Sequence, residues 1–419
     1  MCVINAWLCI DKESYAVMNK RNLTIGAYYL APYASTPEHV RDLAQCGIDV
    51  VMNMRNDRAA LDLLAQNGVS AVVSGIVPGW FGGDGSNAGT MAQKNPLEAY
   101  ELAAQRFEDH PAIIGIDAGD EPSSLDFEHY GKAIETIVKR FPDKFAYLNI
   151  YPRYALKGSN TAQEIAAQLG VSDYRTYIDR YVRYVDTHYI CFDYYLYSAS
   201  LSGLYESMTV VSEACRTHGR EMWTVLQVNS HLPEVALSED QLRFQANCAL
   251  AFGSRAIIWA CYCPGWWHNN VLDREGNKTQ QYDKLKAVNA QLHCLGETYM
   301  KYRHQETYFV GGFTQGELKK TGKTALEALE TEHFRLKANG AKLLVGKMTS
   351  RTGDGGEALL ITAADDPYAK EIKTHHIYFE CTKRFCLLGV NSAKTVTRNE
   401  NGMYVFELDT CQGVLLIAE

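Results

Sequence analysis

The first two thirds of the chain repeat one pattern, in which a short apolar run rich in β-branched and aromatic residues precedes a longer stretch with helical spacing. Thr36 and Pro37 show how such a stretch begins, because Thr caps helices and Pro fits the first turn. Eight repeats favour a closed (β/α)8 barrel over an open doubly wound sheet, since no GxGxxG or phosphate-binding loop follows the first run. The runs are residues 23–31, 48–54, 69–77, 113–118, 145–150, 189–195, 222–228 and 256–261.

The sequence changes character near Arg303, after a stretch with helical spacing at residues 280–301. From residue 341 onward, short apolar runs are separated by Gly, Asn, Asp and Thr, which predicts a small all-β sandwich with a structural or accessory role. We therefore expect an N-terminal segment (1–22), an α/β barrel domain (23–303) and a β-sandwich domain (304–419). The runs are AKLLVGKM, EALLITAA, HHIYFE, FCLLGV, MYVFEL and GVLLIA.

The amino-acid composition argues against several classes of function. With 47% hydrophobic and 21% charged residues, the chain can bury a large core, and a net charge of -8 argues against a nucleic-acid partner. No apolar run reaches the length of about 20 residues that spans a bilayer. The first residues contain charges at positions 11–13 and lack a basic start, so they do not resemble a signal peptide. We expect no membrane partner and a cytoplasmic location.

Metal and cofactor chemistry are not expected either. The twelve cysteines are scattered, and several lie in apolar runs, which is typical of reduced core thiols. Cys261 and Cys263 are one residue closer together than a CxxC pair, and no second pair follows. The sequence also contains no His and carboxylate cluster with metal-ligand spacing.

The ends of the strands are the positions where a barrel of this kind places its active site. The fourth run leads into DAGDEP (residues 117–122), with two adjacent carboxylates, Asp120 and Glu121. Alternation along a strand would put Asp117 and Glu121 on one face and Asp120 on the other. Asp120 could instead cap the next helix, but Glu121 is the better candidate for a proton donor.

Six strand ends carry aromatic or polar side chains suited to sugars, whose rings stack on flat aromatic faces and whose hydroxyls need hydrogen-bond partners. A single aromatic residue is more often part of the core. Agreement among six strand ends is harder to explain in that way, so we predict a carbohydrate site. Its candidates are Tyr28, Tyr29, Asn53, Arg55, Trp80, Asp84, Asn149, Tyr151, Asp193, Tyr195, Trp259, Tyr262, Trp266, Trp267 and His268.

Three stretches resemble the clan A glycoside hydrolases, most nearly the bacterial β-galactosidase-like barrels that carry small β-domains. GDEP (119–122) looks like the clan's Asn-Glu-Pro, whose Glu is the general acid/base, although Asp120 replaces the Asn. FDYYLY (192–197) is similar to the Asp-x-Tyr at the sixth strand, and LDREGNKTQQYDKLKAVNAQL (272–292) looks like the segment after the eighth. The resemblance covers residues 23–300. It implies hydrolysis of O-glycosidic bonds in an oligosaccharide or polysaccharide, with Glu121 as the acid.

The sequence departs from the clan at the seventh strand, where the clan has a nucleophilic Glu and this chain has Gln227. An amide cannot form the glycosyl ester of a retaining glycosidase. Asp193 is our first choice for the second carboxylate, Glu234 is the second, and Asp120 is a further candidate. The reaction could also invert, or the substrate's own group could attack. In each case we expect Gln227 and Asn229 to join the sugar-binding residues.

Two rival functions remain open. A catalytically silent carbohydrate-binding barrel would explain Gln227. A different barrel enzyme, such as a lyase or isomerase, would need a Lys base or a phosphate site, and the eight runs contain no strand-end Lys.

Overall fold

The computed structural model of the protein describes residues 23–82, 87–105, 107–153, 168–369, 371–389 and 396–419. The predicted N-terminal segment 1–22 and the candidate Asp84 lie outside the described residues.

Eight parallel strands form a closed barrel in chain order, with β1 paired to both β2 and β8. Each strand falls in or overlaps one of the eight predicted runs, so the predicted (β/α)8 barrel is confirmed. The strands are β1 (Thr24–Tyr28), β2 (Val50–Arg55), β3 (Ser70–Ser74), β4 (Ile113–Asp120), β5 (Phe145–Ile150), β6 (Tyr189–Tyr194), β7 (Glu221–Gln227) and β8 (Ser254–Ala260).

Helices surround these strands, and the first of them begins with the cap that the sequence predicts. The Thr36 hydroxyl accepts a hydrogen bond from the His39 N–H, and Pro37 occupies the first turn of α1, as predicted. The helices of this part are α1 (Pro37–Gln45), α2 (Arg58–Gln66), α3 (Met91–Lys94), α4 (Leu97–Ala104), α5 (Phe127–Arg140), α6 (Tyr174–Tyr184), α7 (Leu201–His218), α8 (Glu239–Ala251) and α9 (Gln280–Tyr299).

The barrel interior is filled by side chains that alternate along the strands. Trp223 of β7 stacks on Tyr189 of β6, with ring centroids 3.8 Å apart and an interplanar angle of 3°. Val50, Val72 and Ile258 belong to the same buried cluster. The interior is therefore a packed core, and space for a ligand remains at its ends.

Two sheets, antiparallel apart from one parallel strand pair, follow the barrel and face each other across a separate apolar core, which confirms the predicted β-sandwich. The first sheet has the order β10-β9-β13-β14-β19-β16 and the second β11-β12-β15-β18-β17, and a short helix, α10 (Gln315–Leu318), follows β9. The strands are β9 (Tyr302–Gly311), β10 (Ala325–Leu326), β11 (Ala328–Glu330), β12 (Phe334–Lys337), β13 (Lys342–Ser350), β14 (Glu357–Ala363), β15 (Thr374–Cys381), β16 (Phe385–Leu388), β17 (Thr397–Arg398), β18 (Tyr404–Asp409) and β19 (Gly413–Ala418).

The continuous apolar runs of the six-stranded sheet have a physical reason. Leu359 and Ile361 of β14 point into the sandwich core, whereas Leu360 between them joins the apolar cluster of the barrel and its helices. Leu415 and Leu416 of β19 divide in the same way. Because both faces of this sheet are buried, its strands do not show the polar alternation of a half-exposed sheet.

Helix α8 lies between the barrel and this sheet, and its residues from Leu242 to Ala251 are all buried. The Asn247 side-chain amide donates to the Cys411 carbonyl at 3.1 Å, and the Thr307 hydroxyl donates to the Ala251 carbonyl at 3.0 Å. A Cβ atom at Gly346 would lie 2.3 Å from that Ala251 oxygen, so the close approach requires glycine. Within the described part of the chain, no helix has the length and apolar character needed to cross a membrane.

Candidate active site

The end of β4 is held by the loop that follows β3. The Asp120 N–H donates to the Trp80 carbonyl at 2.8 Å, and the Gly82 N–H donates to the Asp120 carbonyl at 3.0 Å. The Glu121 N–H donates to the Asn149 carbonyl of β5 at 2.9 Å. These bonds hold Glu121 at a φ of +44°, a left-handed conformation that non-glycine residues rarely adopt. Such backbone strain is typical of functional sites.

Asp120 does not point away from Glu121, so the expectation from simple strand alternation was wrong. Both carboxyls line one cavity at the barrel mouth. The pairing of β4 with β5 shifts register between Asp117 and Gly119, and Gly119 has a φ of +141°. An irregularity of this kind changes which face the following side chains occupy. Asp120 also does not cap the next helix, whose N-cap residue is Asp126.

Asn149 links two of the carboxyls. Its side-chain N–H group donates to Asp120 Oδ1 at 3.0 Å and to Asp193 Oδ1 at 2.9 Å. The two strands that carry Asn149 and Asp193 are neighbours in the barrel, so their ends meet at the same mouth. The bonds fix the orientation of both carboxyls and bring charges of the same sign into one small region.

Burial and mutual repulsion raise the pKa values of this cluster. Burial is the main cause that raises the pKa of Glu121 well above its ordinary range, and Asp193 and Asp120 add to the rise. The Asp120 carboxyl is open to the cavity but enclosed by the barrel wall. Its pKa rises to about 7 through burial and the Asp193 charge, against the bond from Asn149. Near neutral pH the cluster therefore keeps protons that isolated carboxyls would lose.

The cavity that holds these carboxyls has a volume of about 530 Å³ and aromatic walls. The Trp266 ring stands edge-on to Tyr28 with centroids 6.1 Å apart, and it is tilted 56° to Tyr195 at 6.4 Å. Tyr29 is fixed by a bond from its hydroxyl to the Pro264 carbonyl at 3.0 Å. The lining residues are Tyr28, Tyr29, Asn53, Phe81, Asp120, Glu121, Asn149, Asp193, Tyr195, Gly265, Trp266 and Trp267.

A second cavity, of about 470 Å³, adjoins the first and shares Tyr195 and Trp267 with it. Gln227 lines this second cavity and is not among the residues that line the first. Its side-chain oxygen accepts a bond from the Tyr197 N–H at 3.0 Å. The amide at the end of β7 is thus anchored beside the carboxyl cavity. Apolar side chains such as Leu232 and Val235 form much of the remaining wall.

Several predicted sugar-binding residues are instead buried behind the cavity. Trp259 points outward from β8, where its indole N–H donates to Asn289 Oδ1 of α9 at 2.9 Å. Asn229 supports the wall indirectly, because its amide donates to the Trp266 carbonyl at 2.9 Å. Trp259 and Asn229 are not among the residues that line the first cavity. Four other candidates are also buried and outside this lining, namely Trp80, Tyr151, Gln227 and Tyr262.

The weaker candidates also lie outside. Glu234, the alternative second carboxylate, is exposed and lines neither cavity. Arg55 and His268 are exposed and outside both linings as well. Phe81 was missed from the sequence. Its side chain is 56% exposed in the loop after β3, and an apolar residue beside Trp80 was the one available signal.

Over the residues that the structure describes, no group of three or more His, Cys, Asp or Glu is arranged for metal binding. Cys261 and Cys263 are both buried, in different apolar clusters. Burial raises the pKa of the Cys263 thiol to about 11.

Comparison with known proteins bears on the fold. No family model and no curated protein matches the chain. A Paenibacillus cycloisomaltooligosaccharide glucanotransferase matches with a TM-score of 0.53 at 10% identity, over 95% of this chain and 85% of that one. The chain shares its (β/α)8-barrel fold with this carbohydrate-active enzyme. A putative α-galactosidase from Bacteroides fragilis has a TM-score of 0.49 at 9% identity, over 95% and 79% of the two chains. At such identities the likeness concerns the fold alone.

Replacing Gly82 with Ala should disturb Glu121. A Cβ atom there would lie 1.6 Å from the Glu121 carbonyl oxygen, so the backbone of one of the two residues must move. If Glu121 is the proton donor that the sequence predicts, the rate should fall roughly 10-fold to 100-fold, since small displacements of a catalytic group have effects of this size. Gly79→Ala in the same loop is the matched control, because nothing lies within 4 Å of the added atom. Equal rates for the two variants on one glycoside substrate would contradict the proposed support of Glu121.

Replacing Asp117 with Asn should make stability less dependent on pH. Burial, followed by the Asp120 charge, raises the Asp117 pKa from 3.8 to about 7. The native carboxyl stays protonated where the unfolded one ionises, so wild-type stability falls as pH rises from about 4 to 7. The stability of Asp117→Asn relative to wild type should therefore rise over this window by on the order of 1–4 kcal/mol. Urea unfolding at each pH measures it, with Asp179→Asn on the exposed face of α6 as control. A constant difference would contradict the prediction.

Proposed function

We propose that this protein hydrolyses O-glycosidic bonds in an oligosaccharide or polysaccharide. The observation that carries the proposal is the convergence of Glu121, Asp120 and Asp193 on one aromatic-walled cavity at the carboxyl ends of the barrel strands. Glycosidic hydrolysis needs one carboxylic acid and one carboxylate at the same bond. Aromatic faces beside them suit the C–H surface of a sugar ring.

Glu121 is the proton donor in this proposal. Burial, together with the charges of Asp193 and Asp120, raises its pKa, which favours the protonated carboxyl that can give its proton to the leaving oxygen as the bond breaks. Its backbone conformation and the bond from its N–H to the Asn149 carbonyl hold it at the cavity wall. Tyr195 and Trp266 then form a platform for the sugar, with Asn53 and Tyr29 as polar neighbours.

Asp193 is the preferred second carboxylate. It is 2% exposed, lines the same cavity, and accepts the hydrogen bond from Asn149 that fixes one of its oxygens. Acting as nucleophile, its oxygen would bond to the anomeric carbon while the leaving group takes the Glu121 proton, and water would then release the sugar. Acting as base, it would instead take a proton from the attacking water. Asp120 is the alternative for either role, because Asn149 holds it in the same way.

A carbohydrate-binding barrel without catalysis is the second candidate. Gln227 favours it, because the strand end at which the clan carries its nucleophile has an amide here, and that amide lines the neighbouring cavity. In this case the carboxyls would accept hydrogen bonds from sugar hydroxyls. The aromatic platform would serve both functions equally, so only turnover separates them.

A screen of aryl glycosides and oligosaccharides for released sugar tests the proposal, with Glu121→Gln protein as the reference. We expect release from at least one glycoside by wild-type protein and far less by the variant. Binding on a glycan array without release from any bound glycan would favour the carbohydrate-binding barrel. Absence of both binding and release would contradict both candidates.

We also infer that the barrel domain ends near residue 303 and the β-domain begins there. The start of β9 at Tyr302, directly after α9, supports this boundary. The expected cytoplasmic location stays a prediction, which fractionation of cells that produce the protein would test.

A further inference from the structure

A third cavity lies at the opposite end of the barrel from the carboxyls. It has a volume of about 440 Å³ and is lined where β7 and β8 begin, at Glu221 and Arg255. The end of α7 contributes Arg216, and the β-domain contributes Arg303 from β9 and Arg351 from the residues after β13. The barrel and the β-domain thus build this cavity together.

The charge of the lining is strongly unbalanced. Among the residues that the structure describes, five arginines line it, since Arg220 joins the four above, and Glu221 is the one carboxylate of the lining. One oxygen of Glu221 accepts a bond from the Trp223 indole N–H at 3.2 Å. Outside the lining, exposed Asp186 lies 4.0 Å from Arg220. His304 adds no charge near neutral pH, because burial lowers its pKa to about 3.

Structural roles account for only part of this cluster. Arg255 donates to the carbonyls of Tyr302 at 3.0 Å and Met300 at 3.2 Å, and Arg220 donates to the Val185 carbonyl at 2.7 Å. Arg216 likewise donates to the Gln305 carbonyl at 2.7 Å. Those bonds hold chain segments together and would suffice as a purely structural explanation for three arginines. Arg303 and Arg351, by contrast, are exposed side chains at the cavity, and the Arg351 Nε–H makes a long bond of 3.4 Å to the Tyr302 carbonyl.

The buried member of the cluster is also incompletely satisfied. The Arg255 side chain is buried, yet its Nε–H has no hydrogen-bond partner among the described residues. Burial lowers the Arg255 pKa, and the charges of Arg351 and Arg303 lower it further, whereas Tyr299 and Glu221 raise it. Like charges held this close repel each other, and an anion in the cavity would relieve the repulsion.

We propose that this cavity binds a phosphate or sulfate group, free or carried by a small molecule. Guanidinium groups are planar donors that match tetrahedral oxyanions with paired hydrogen bonds, and several of them here face one space. The volume falls within the range of small-molecule sites and exceeds the need of a bare anion. Because this site lies at the other end of the barrel strands, it is separate from the proposed glycoside site and does not depend on it.

Thermal unfolding and calorimetric titration of the full chain test the proposal. The probes are sodium phosphate, sodium sulfate, glycerol phosphate and glucose 6-phosphate, each compared with sodium chloride at equal ionic strength. A ligand that binds the native state raises the unfolding temperature. We expect such a rise with at least one oxyanion. Tighter binding of the free anions than of the phosphate esters would identify an inorganic ion as the ligand, and the reverse would identify a phosphorylated small molecule.

Two variants of the protein test whether the anion binds in this cavity. Arg303→Gln with Arg351→Gln removes two exposed charges and should weaken the affinity roughly tenfold or more. Arg384→Gln removes an exposed charge of the same domain outside the cavity lining and should leave the affinity within about twofold. Circular dichroism checks that each variant is folded. A temperature rise that chloride reproduces, or an equal loss of affinity in Arg384→Gln and the double variant, would overturn the assignment.

Discussion

Glu121→Gln protein should fold normally and turn over a glycoside roughly 10² to 10⁴ times more slowly than wild type. The amide keeps the size of the side chain and removes the proton that the leaving oxygen needs. Substrates with poor leaving groups depend most on this proton, so their rates should fall furthest. Rates on an activated aryl glycoside and on an unactivated one, measured together with thermal unfolding, give the comparison.

The pH profile adds an independent test of the same residue. Wild-type activity should fall as pH rises past the raised Glu121 pKa, because the carboxyl then loses its proton. This loss should be absent from the residual activity of Glu121→Gln. Glu135→Gln, on the exposed surface of α5, is the control and should match wild type. Near wild-type turnover of the unactivated glycoside by Glu121→Gln would refute the acid assignment.

The fold could be predicted from the sequence because its signals are local. Eight buried strands separated by helical spacing leave few architectures other than a closed barrel, and the six apolar runs after residue 341 all form strands. Strand β9 was not predicted, since YRHQETYFVG (302–311) is largely polar in its first half. Those residues pair with β13, and a partner strand is a tertiary feature that propensity does not encode.

The site could be predicted only in part. Parallel strands end at the same mouth, which is why residues as distant in the chain as Tyr29, Asn149 and Asp193 were rightly expected at one place and do line one cavity. The direction in which each side chain points from its strand was harder to predict. Trp259 stands between inward-facing Ile258 and Ala260 and points outward, but the apolar run around it gave no sign of which face was which.

Irregular backbone explains the other errors. Asp120 reaches the cavity because β4 shifts register beside Gly119, and sequence alternation assumes a regular strand. Tyr151 follows β5 but is buried beneath the cavity, where its carbonyl accepts a bond from the Tyr174 hydroxyl at 3.0 Å. Such contacts depend on how a loop folds back, which spacing along the chain does not specify.

Asp193→Asn should lower turnover at least 10²-fold if Asp193 is the second carboxylate, and the loss should be as severe as for the acid. The variant keeps an oxygen that can accept the hydrogen bond from Asn149, so the geometry of the mouth should survive. The wild-type product then distinguishes the two roles. If Asp193 is a nucleophile, NMR should show that the first-formed sugar retains the anomeric configuration of the substrate, whereas a base would give inversion.

Asp120→Asn is the matched comparison, because the same Asn149 amide bonds both carboxyls and each substitution removes one charge. If Asp193 is the reacting group, Asp193→Asn should lose much more activity than Asp120→Asn, which loses a neighbouring charge but no reacting atom. The reverse order would assign the reaction to Asp120. If both variants kept full turnover while Glu121→Gln lost it, neither Asp could be the nucleophile or base, and attack by a group of the substrate itself would become the mechanism to test.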